Sequence, residues 1–273
     1  MNELSYPDTG RSWQRLIRSK WAFLILHAGF VAAWFIPSFN VLATLLPWFV
    51  LQFSVHAGYH RYFAHRSYKT HPWFELLLAC SACLALQNGP LWWVSKHRHH
   101  HRSADTPDDR HSPAHGFWHA HIGWLWCNGD EIDRIDWDLV KDMRRPIPIW
   151  VERNQLALHG FYVLSVFLCG GPAGIFTFWV VPIVLCWHTT FATNSICHLV
   201  GARPYALQIP ETCLARNNGV VAIANLGEGW HNNHHAYPSC CHHGFHRWYQ
   251  LDITYTVLFV LEQFGIVWGL RKA

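Results

Sequence analysis

Two long stretches without any Asp, Glu, Lys or Arg dominate the 273-residue sequence, one between Lys20 and Arg61 and the other between Arg153 and Arg203. A helix that crosses a lipid bilayer needs about 20 apolar residues, so each stretch is long enough for two crossings. A turn signal lies near the middle of each stretch, IPSFN and CGGPAG. We therefore predict an all-α integral membrane fold with four transmembrane helices in two hairpins, near residues 21–36, 40–59, 155–170 and 174–197.

Each predicted hairpin returns the chain to the side of the membrane from which it started. Neither hairpin turn contains Lys or Arg, whereas four basic residues precede the first predicted helix: Arg11, Arg15, Arg18 and Lys20. The positive-inside rule then places both termini in the cytoplasm. The sequence thus predicts a single domain over residues 1–273, multi-pass in the cytoplasmic membrane if the source is bacterial. Residues 60–153 and 198–273 form its cytosolic helical cap.

Two further apolar segments are expected to stay on the cytosolic side. Residues 76–95 carry no charge, but a crossing there would separate the histidines before and after it. We expect a helix at the interface or against the bundle, broken near NGP at 88–90. The tail 253–268 contains Glu262 and is expected to form an interfacial or docking helix.

Composition narrows the class of protein. Charged residues make up 14% and hydrophobic residues 51%, whereas an ordinary soluble domain has about 25% charged residues. A net charge of +4 is too small to indicate nucleic-acid binding. The nine cysteines, several of them in apolar runs, are expected to be reduced packing residues, including the Cys80 and Cys83 pair. Histidine, with 22 copies, is the unusual residue.

The histidines recur in fixed frames beside the predicted membrane boundaries. HRYFAH contains His60 and His65, and HRHHH and HNNHH share the frame HxxHH. Positions i, i+3 and i+4 share one face of an α-helix, so each HxxHH frame presents three imidazoles in one direction. HxxxxH separates its rings by about 140° on an ideal α-helix, which suits either a bent helix end or two ligands that approach a metal from opposite sides. With NSICH, the candidate ligands are His60, His65, His97, His100, His101, Asn194, His198, His231, His234 and His235.

The alternative is that these histidines are solvated surface residues, which one frame alone would not exclude. Three such frames, each next to a membrane boundary, favour a metal centre. Neutral imidazoles suit iron, zinc, copper and nickel. A structural zinc site closes with four ligands, so nine histidines indicate two metals with room for a further ligand. A redox-active pair that activates O2 fits best, and we expect iron.

With these motifs, the sequence resembles the membrane acyl-CoA and acyl-lipid desaturases of the Δ9, stearoyl-CoA desaturase-like type, over roughly residues 21–255. The matching segments are HRYFAH, QNGPLWWVSKHRHHH, GFWHAHIGW, NSICHLVGARPY and GEGWHNNHHAYP. The resemblance implies that the nine histidines bind two iron ions and that Asn194 holds a metal-bound water. It also implies a mushroom-shaped fold with a kinked acyl tunnel, and O2-dependent cis desaturation of a long-chain fatty acyl group.

The resemblance also assigns substrate residues. Gln87, Trp93 and Thr190 match the family's tunnel kink, and Trp92 and Trp124 are further candidates for the tunnel wall. Candidate head-group residues are Lys96, Arg98 and His121. Animal members carry an Arg-Asp pair that helps to bind CoA, where this chain has Ser95 and Lys96, so CoA, a lipid and a carrier protein all stay open as acyl carriers.

The predicted partners are the lipid bilayer and a separate electron donor, because no fused haem-binding domain is recognised at the C-terminus. A ferredoxin or a cytochrome b5-like protein with its reductase would supply the electrons. Glu228 and Asp252 are expected to orient ligand imidazoles from behind. His99 is expected to face away from the metals, and His242, His243 and His246 to lie at the surface or behind the ligands.

Three other functions stay open at this point. A hydroxylase or other monooxygenase on lipid or alkyl substrates uses the same histidine pattern. A membrane metal transporter would need ionisable ligands along the spans, which hold only His27, His56, His159 and His188. A membrane zinc hydrolase would need no reductant and fewer histidines.

Overall fold

The computed structural model describes residues 19–127, 132–207 and 211–273, so Arg11, Arg15 and Arg18 lie outside the described residues. Within these ranges the chain is mostly helical, with one short antiparallel sheet, β1 (Lys69–Thr70) and β2 (Val267–Trp268). The α-helices are α1 (Lys20–Ala33), α2 (Val41–Phe53), α3 (Pro72–Cys83), α4 (Pro90–Ser103), α5 (Trp124–Cys127), α6 (Pro146–Arg153), α7 (Gln155–Ile175), α8 (Val181–Leu199), α9 (Gly219–Ala224), α10 (His231–Ala236) and α11 (Ile253–Gln263). Segments of π-helix cover Ser54–Ala64, His119–Gly123 and Phe176–Val180, and 3-10 turns cover Pro113–His115 and Lys141–Met143.

Helices α1 and α2 occupy the first uncharged stretch. Ser19 caps α1 by accepting a hydrogen bond from the backbone N–H of Ala22 at 3.0 Å. Asn40, the last residue of the IPSFN turn, accepts hydrogen bonds from the N–H groups of Leu42 and Ala43. Such side-chain acceptors satisfy backbone donors that have no partner within the helix. The turn therefore starts the second helix where the sequence predicts it.

Helices α7 and α8 occupy the second uncharged stretch, and the chain reverses at Gly171. This residue has φ +57°, in the left-handed region that favours glycine. The Tyr162 hydroxyl donates to the Phe178 carbonyl at 2.8 Å, although these residues would be about 24 Å apart along one straight helix. The two helices therefore run side by side as a hairpin.

Among the residues that the structure describes, two helices are long and apolar enough to cross a membrane, Val41–Ala64 and Gln155–Leu199. The second contains the third and fourth predicted spans, with the Gly171 reversal between them. Helix α1 has 14 residues, about 21 Å, which is shorter than a hydrocarbon core of about 30 Å. Large exposed apolar side chains lie along α1, α2 and α7, among them Trp21, Ile25, Leu42, Leu46, Phe161 and Leu168. Such a surface is typical of lipid contact, and the fold fits a membrane-associated protein.

The two additional apolar segments pack against the π-helical segment Ser54–Ala64. Residues 76–95 form the end of α3, a break over 84–89 and the start of α4. A Cβ placed on Gly58 would lie 3.1 Å from the Cβ of Leu78, so α3 approaches closely. The buried side chain of Leu258 on α11 belongs to the same cluster as Leu78. Both segments thus support the helix that carries the first histidine motif.

Candidate metal centre

The first histidine motif lies on a π-helix, which brings its two rings together. The His65 N–H donates to the His60 carbonyl five residues earlier, at 3.1 Å. In an i to i+5 helix, residues five apart stack on the same side, unlike residues five apart in an α-helix. The ring centroids of His60 and His65 lie 4.8 Å apart. The bend expected from the HxxxxH spacing is therefore a change of helix type.

Five histidines form one cluster, in which the candidate ligand atoms lie within 4.8 Å of one another: His60, His65, His97, His101 and His234. The Nε2 atoms of His65 and His97 are 2.7 Å apart, and the Nε2 atom of His234 lies 3.1 Å from that of His60 and 2.9 Å from that of His101. Three segments distant in sequence meet here: the π-helix, α4 and α10. All five are buried or half-buried.

The remaining four histidines form a second cluster by the same criterion: His100, His198, His231 and His235. The Nε2 atom of His231 lies 3.0 Å from that of His198 and 3.1 Å from that of His235. His100 and His101 are neighbours on α4, yet they belong to different clusters, with ring centroids 5.7 Å apart. Each HxxHH frame therefore contributes to both clusters, which makes the two clusters adjacent.

The donor sets fit metal ions. Two imidazole nitrogens that bind one ion at about 2.1 Å and at right angles are about 3.0 Å apart, which matches the separations of 2.7 to 3.1 Å. Burial lowers the pKa of His97, His101 and His234 well below the ordinary value, and neighbouring imidazoles lower it further. These rings are therefore neutral at pH 7, as metal binding requires.

In three of the nine rings, a carboxylate contacts Nδ1, the nitrogen on the far side from the clustered Nε2 atoms. Glu228 Oε2 lies 2.7 Å from His60 Nδ1, Asp105 Oδ2 lies 2.7 Å from His198 Nδ1, and Asp109 Oδ2 lies 3.0 Å from His100 Nδ1. A partner on Nδ1 fixes the ring orientation and leaves Nε2 for a metal. In a fourth ring, His235 Nδ1 lies 3.3 Å from the sulfur of Cys213.

Asp105 and Asp109 were missed by reasoning from the sequence, although both lie in the ADTPDD segment directly after the second motif. Burial would raise the pKa of Asp109, but the adjacent His100 and His111 bring it well below its ordinary value. Burial would also raise the pKa of Glu228, but the buried guanidinium of Arg61, together with His60 and His243, brings it well below its ordinary value. These carboxylates are therefore ionised.

Asp252 and His243, which were also predicted to lie outside the set of candidate ligands, are close to the centre, but their hydrogen-bond partners among the described residues are not candidate ligands. Both Asp252 carboxylate oxygens accept hydrogen bonds from Arg61, and Oδ2 also accepts one from the backbone N–H of His243. The prediction that Asp252 orients a ligand imidazole directly is therefore replaced by an indirect contact through Arg61. The His243 side chain is buried, and its Nδ1 lies 3.1 Å from Glu228 Oε2.

Three histidines that the sequence analysis placed outside the set of ligands make local contacts. His99 Nδ1 lies 3.3 Å from the Ser103 hydroxyl. His242 stacks on Tyr255 with ring centroids 4.2 Å apart. The Nδ1 atom of His246 lies 3.1 Å from the Tyr205 hydroxyl. These contacts place the three rings away from the candidate ligand atoms.

An apolar cleft of about 750 Å³ reaches the centre, and all five predicted tunnel residues line it: Gln87, Trp92, Trp93, Trp124 and Thr190. Asn194 and His97 also line this cleft, together with Phe23, Trp187 and Phe191. A smaller cavity of about 400 Å³ shares Trp93, His97, Thr190 and Asn194 with the cleft and is also lined by His60, His100 and His231. The cleft therefore passes directly beside the candidate ligands.

The three predicted kink residues contact one another. The indole N–H of Trp93 donates to Gln87 Oε1 at 3.2 Å, and Gln87 Nε2 donates to the Thr190 hydroxyl at 3.2 Å. A connected network of this kind fixes all three side chains, because each donor or acceptor depends on the next. The network therefore holds the wall of the cleft in place next to His97, on which the Trp93 ring stacks with centroids 5.0 Å apart.

The predicted head-group residues have three different environments. Lys96 lines the cleft and donates to the Arg134 carbonyl at 2.6 Å. All five N–H groups of Arg98 are used within the protein, on three backbone carbonyls and on Asp142. His121 lies 2.9 Å from the Ser195 hydroxyl and 3.0 Å from His188 Nδ1. The Arg98 guanidinium is thus held within the fold, and the role of these three residues at the head group stays a prediction.

Comparison with known proteins agrees with this centre. The fatty acid desaturase family model matches residues 37–256. An sn-2 palmitoyl-lipid 9-desaturase of Nostoc is 34% identical over 95% of this chain and 92% of its own length. An sn-1 stearoyl-lipid 9-desaturase of Anabaena variabilis is also 34% identical, over 92% of each chain. A probable chloroplastic lipid desaturase of Arabidopsis thaliana is 36% identical over 83% of this chain, which spans 63% of that relative. The chain belongs to the fatty acid desaturase family and is an oxidoreductase of lipid metabolism.

Proposed function

We propose that the protein carries out O2-dependent cis desaturation of a long-chain fatty acyl group, of the Δ9 type, at a histidine-bound di-iron centre. The observation that carries the proposal is the convergence of nine imidazoles into two adjacent clusters beside an apolar cleft. The family and the names of the relatives support the acyl substrate and the Δ9 type.

Iron is proposed because removal of hydrogen from an unactivated methylene needs an oxidant that no side chain supplies, and an iron pair with O2 supplies it. The five-histidine and four-histidine clusters would each hold one ion. The four-histidine cluster has fewer protein ligands, and Asn194 beside it lines both cavities. We propose that its amide holds a water at this ion.

The protein's part is to position the chain and exclude water. A saturated chain offers no polar group near the reacting carbons, so the selected carbons depend on the shape of the cleft. We propose that the network of Gln87, Trp93 and Thr190 sets the bend of the acyl chain opposite the metals. The contacts among the three side chains support this role.

The acyl carrier is proposed to bear a phosphate. A polar pocket of about 670 Å³ is lined by four basic side chains from three segments: Lys96, His99, Arg110 and Arg134. Among the described residues that line it, Asp136 is the one acidic residue, and Lys96 also lines the acyl cleft. A phosphate of a phospholipid or of CoA would be held there while its acyl chain enters the cleft.

The remaining part of the proposal concerns the membrane. We propose that α1, α2, α7 and α8 all cross it, with the metal centre and both termini on the cytoplasmic side. Electrons would come from a separate one-electron carrier such as a ferredoxin or a cytochrome b5-like protein.

Expression in a host that lacks the unsaturated lipid tests the proposal, with mass spectrometry of the acyl chains to locate double bonds. We expect a cis double bond at carbon 9 from the native protein and at most 1% of that product from the His97→Ala variant. The matched control is His242→Ala, because His242 stacks on Tyr255 outside both clusters. A hydroxylated product, or equal activity in both variants, would contradict the proposal.

A further inference from the structure

The two histidine clusters have unequal partners behind their rings. In the four-histidine cluster, the Nδ1 atoms of His100 and His198 face Asp109 and Asp105, and that of His235 faces the Cys213 thiol. Across the described residues, the five-histidine cluster has one such carboxylate, Glu228 behind His60. The ring partners therefore differ between the clusters in both number and charge.

The negative charge of Glu228 is offset by a buried guanidinium, whereas among the described residues the charges of Asp105 and Asp109 are not. The Arg61 guanidinium donates to Glu228 Oε1 from two nitrogens, at 3.1 and 2.8 Å, and Arg61 is fully buried. This cation offsets the charge of Glu228. In the described part of the chain, the donors to the carboxylates of Asp105 and Asp109 are imidazoles, backbone N–H groups and the Ser112 hydroxyl. No guanidinium or ammonium group is among these donors, so both negative charges act on the adjacent rings.

Such partners change the properties of a bound metal. A carboxylate that accepts the Nδ1–H of a ligand imidazole makes Nε2 more basic, and loss of one partner of this kind changes metal affinity about 10- to 100-fold. A negative charge in a buried site also favours the more positive of two oxidation states. The additional imidazole of the five-histidine cluster is neutral and adds no such charge.

We infer that the ion in the four-histidine cluster is the harder of the two to reduce, and that the first electron from the donor stays at the five-histidine cluster. This inference rests on the di-iron centre proposed above. Each reduction is the addition of one electron to one ferric ion, supplied by the one-electron carrier. Asp105 and Asp109 are positioning residues here, because they act on the metal through His198 and His100.

The test is a reductive titration of the full-length protein loaded with iron-57. Iron content is measured first, and two ions per chain are required by the proposed function. Dithionite with redox mediators then supplies electrons, and Mössbauer and electron paramagnetic resonance spectra count ferric and ferrous ions. We expect two separate one-electron steps in the native protein.

Three matched carboxylate-to-amide variants assign the steps. Asp109→Asn and Asp105→Asn are each expected to shift the lower-potential step upward, so that more of this ion is ferrous at a fixed potential. Both are expected to leave the upper step nearly unchanged. Glu228→Gln is expected to shift the upper step instead.

Two results would overturn the inference: reduction of both native ions in a single step, or a shift of the upper step in the two aspartate variants. If one aspartate variant fails to load iron, the other decides. If both fail, Glu228→Gln decides, and a shift of the lower step in that variant would overturn the inference. Fewer than two ions in the native protein would instead contradict the proposed di-iron centre.

Discussion

Glu152 is a buried carboxylate that holds the start of α4, the helix that carries three of the candidate ligands. Its Oε2 atom accepts hydrogen bonds from the backbone N–H groups of Leu91 at 2.8 Å and Trp92 at 3.3 Å. Gly89 allows this approach because it has no Cβ. Burial raises the pKa of Glu152 to about 7, so the carboxyl group titrates near neutral pH.

Replacement of Glu152 by glutamine should remove the part of the pH dependence of the free energy of unfolding that comes from this carboxyl group. The folded protein holds the proton up to pH of about 7, whereas an unfolded glutamate loses it near 4.3. The stability due to this group is therefore complete below pH of about 4 and declines as the pH rises through 7. We expect native stability relative to Glu152→Gln to fall by up to about 3 kcal/mol between pH 4.5 and 7.5. Chemical unfolding of both proteins in detergent across this range measures the difference, and parallel curves would refute the expectation.

A second residue-scale prediction concerns Gly89 itself. A Cβ on Gly89 would lie 2.7 Å from Gln155 Nε2 and closer still to Glu152 Oε2. Gly89→Ala should therefore destabilise the protein by about 1 to 3 kcal/mol, since the packed neighbours must move. Gly160→Ala is the control, because a Cβ there meets nothing within 4 Å and alanine favours a helix by about 0.5 to 1 kcal/mol. Thermal unfolding followed by tryptophan fluorescence should rank Gly160→Ala above the native protein and Gly89→Ala below it.

At this scale the histidines that come together were predictable from the sequence, but most of their hydrogen-bond partners were not. The spacing of the HxxHH frames is visible in the sequence, and the structure brings all nine histidines together in two clusters. Asp105 and Asp109 depend on how the loop after α4 folds back, where the Ser112 hydroxyl donates to Asp105 Oδ1 at 3.0 Å. The internal hydrogen bonds of Arg98 were also not predictable, because they depend on the carbonyls that surround it in the fold.

The π-helix Ser54–Ala64 is the element that the sequence predicted least well. Its HxxxxH spacing indicated a bent α-helix end, and hydrogen bonds from residue i+5 to residue i produce the convergence instead. Helix type here depends on tertiary packing, since α3 approaches at Gly58 and α11 packs beside it. The hairpin turn at Gly171 and the cap at Asn40 were predictable, because glycine and asparagine have local conformational preferences.

Widening the contact between the π-helix and α3 should displace the first histidine motif. In Gly58→Val, the new side chain would press on Leu78, whose Cβ lies 3.1 Å from the position of a Cβ on Gly58. We expect lower thermal stability and less than half of the native iron content per chain, because His60 follows two residues later. Gly160→Val on α7 is the matched control and should keep its iron. Equal iron content in both variants, measured by elemental analysis, would show that the π-helix does not depend on this contact.

Across the whole molecule, the histidine motifs come together although they are far apart in the sequence. His234 lies 174 positions after His60, and their Nε2 atoms are 3.1 Å apart. Hydrophobic patterning predicted the helices. The number that cross the membrane, four, stays a prediction, because α1 is short and α7 and α8 join in one apolar run. Arg61 links the π-helix to the C-terminal part through Glu228, Asp252 and the Cys241 carbonyl. This buried arginine gave no sequence signal apart from its place beside His60.

The proposed topology makes a prediction about two cysteines. All nine are free, and Cys127 and Cys169 are the two that are exposed. Cys127 ends α5 on the side of the metal centre, whereas Cys169 lies next to the Gly171 reversal between α7 and α8. If α7 and α8 both cross the bilayer, the two thiols are on opposite sides.

A membrane-impermeant maleimide should then label Cys169 alone from outside intact cells and Cys127 alone in inverted vesicles, with mass spectrometry to identify the site. Cys127→Ser and Cys169→Ser are the controls, each of which should lose one of the two signals. Labelling of both thiols from one side would mean that the α7–α8 hairpin does not cross, and the two clusters would then belong to a protein that lies on one face of the membrane.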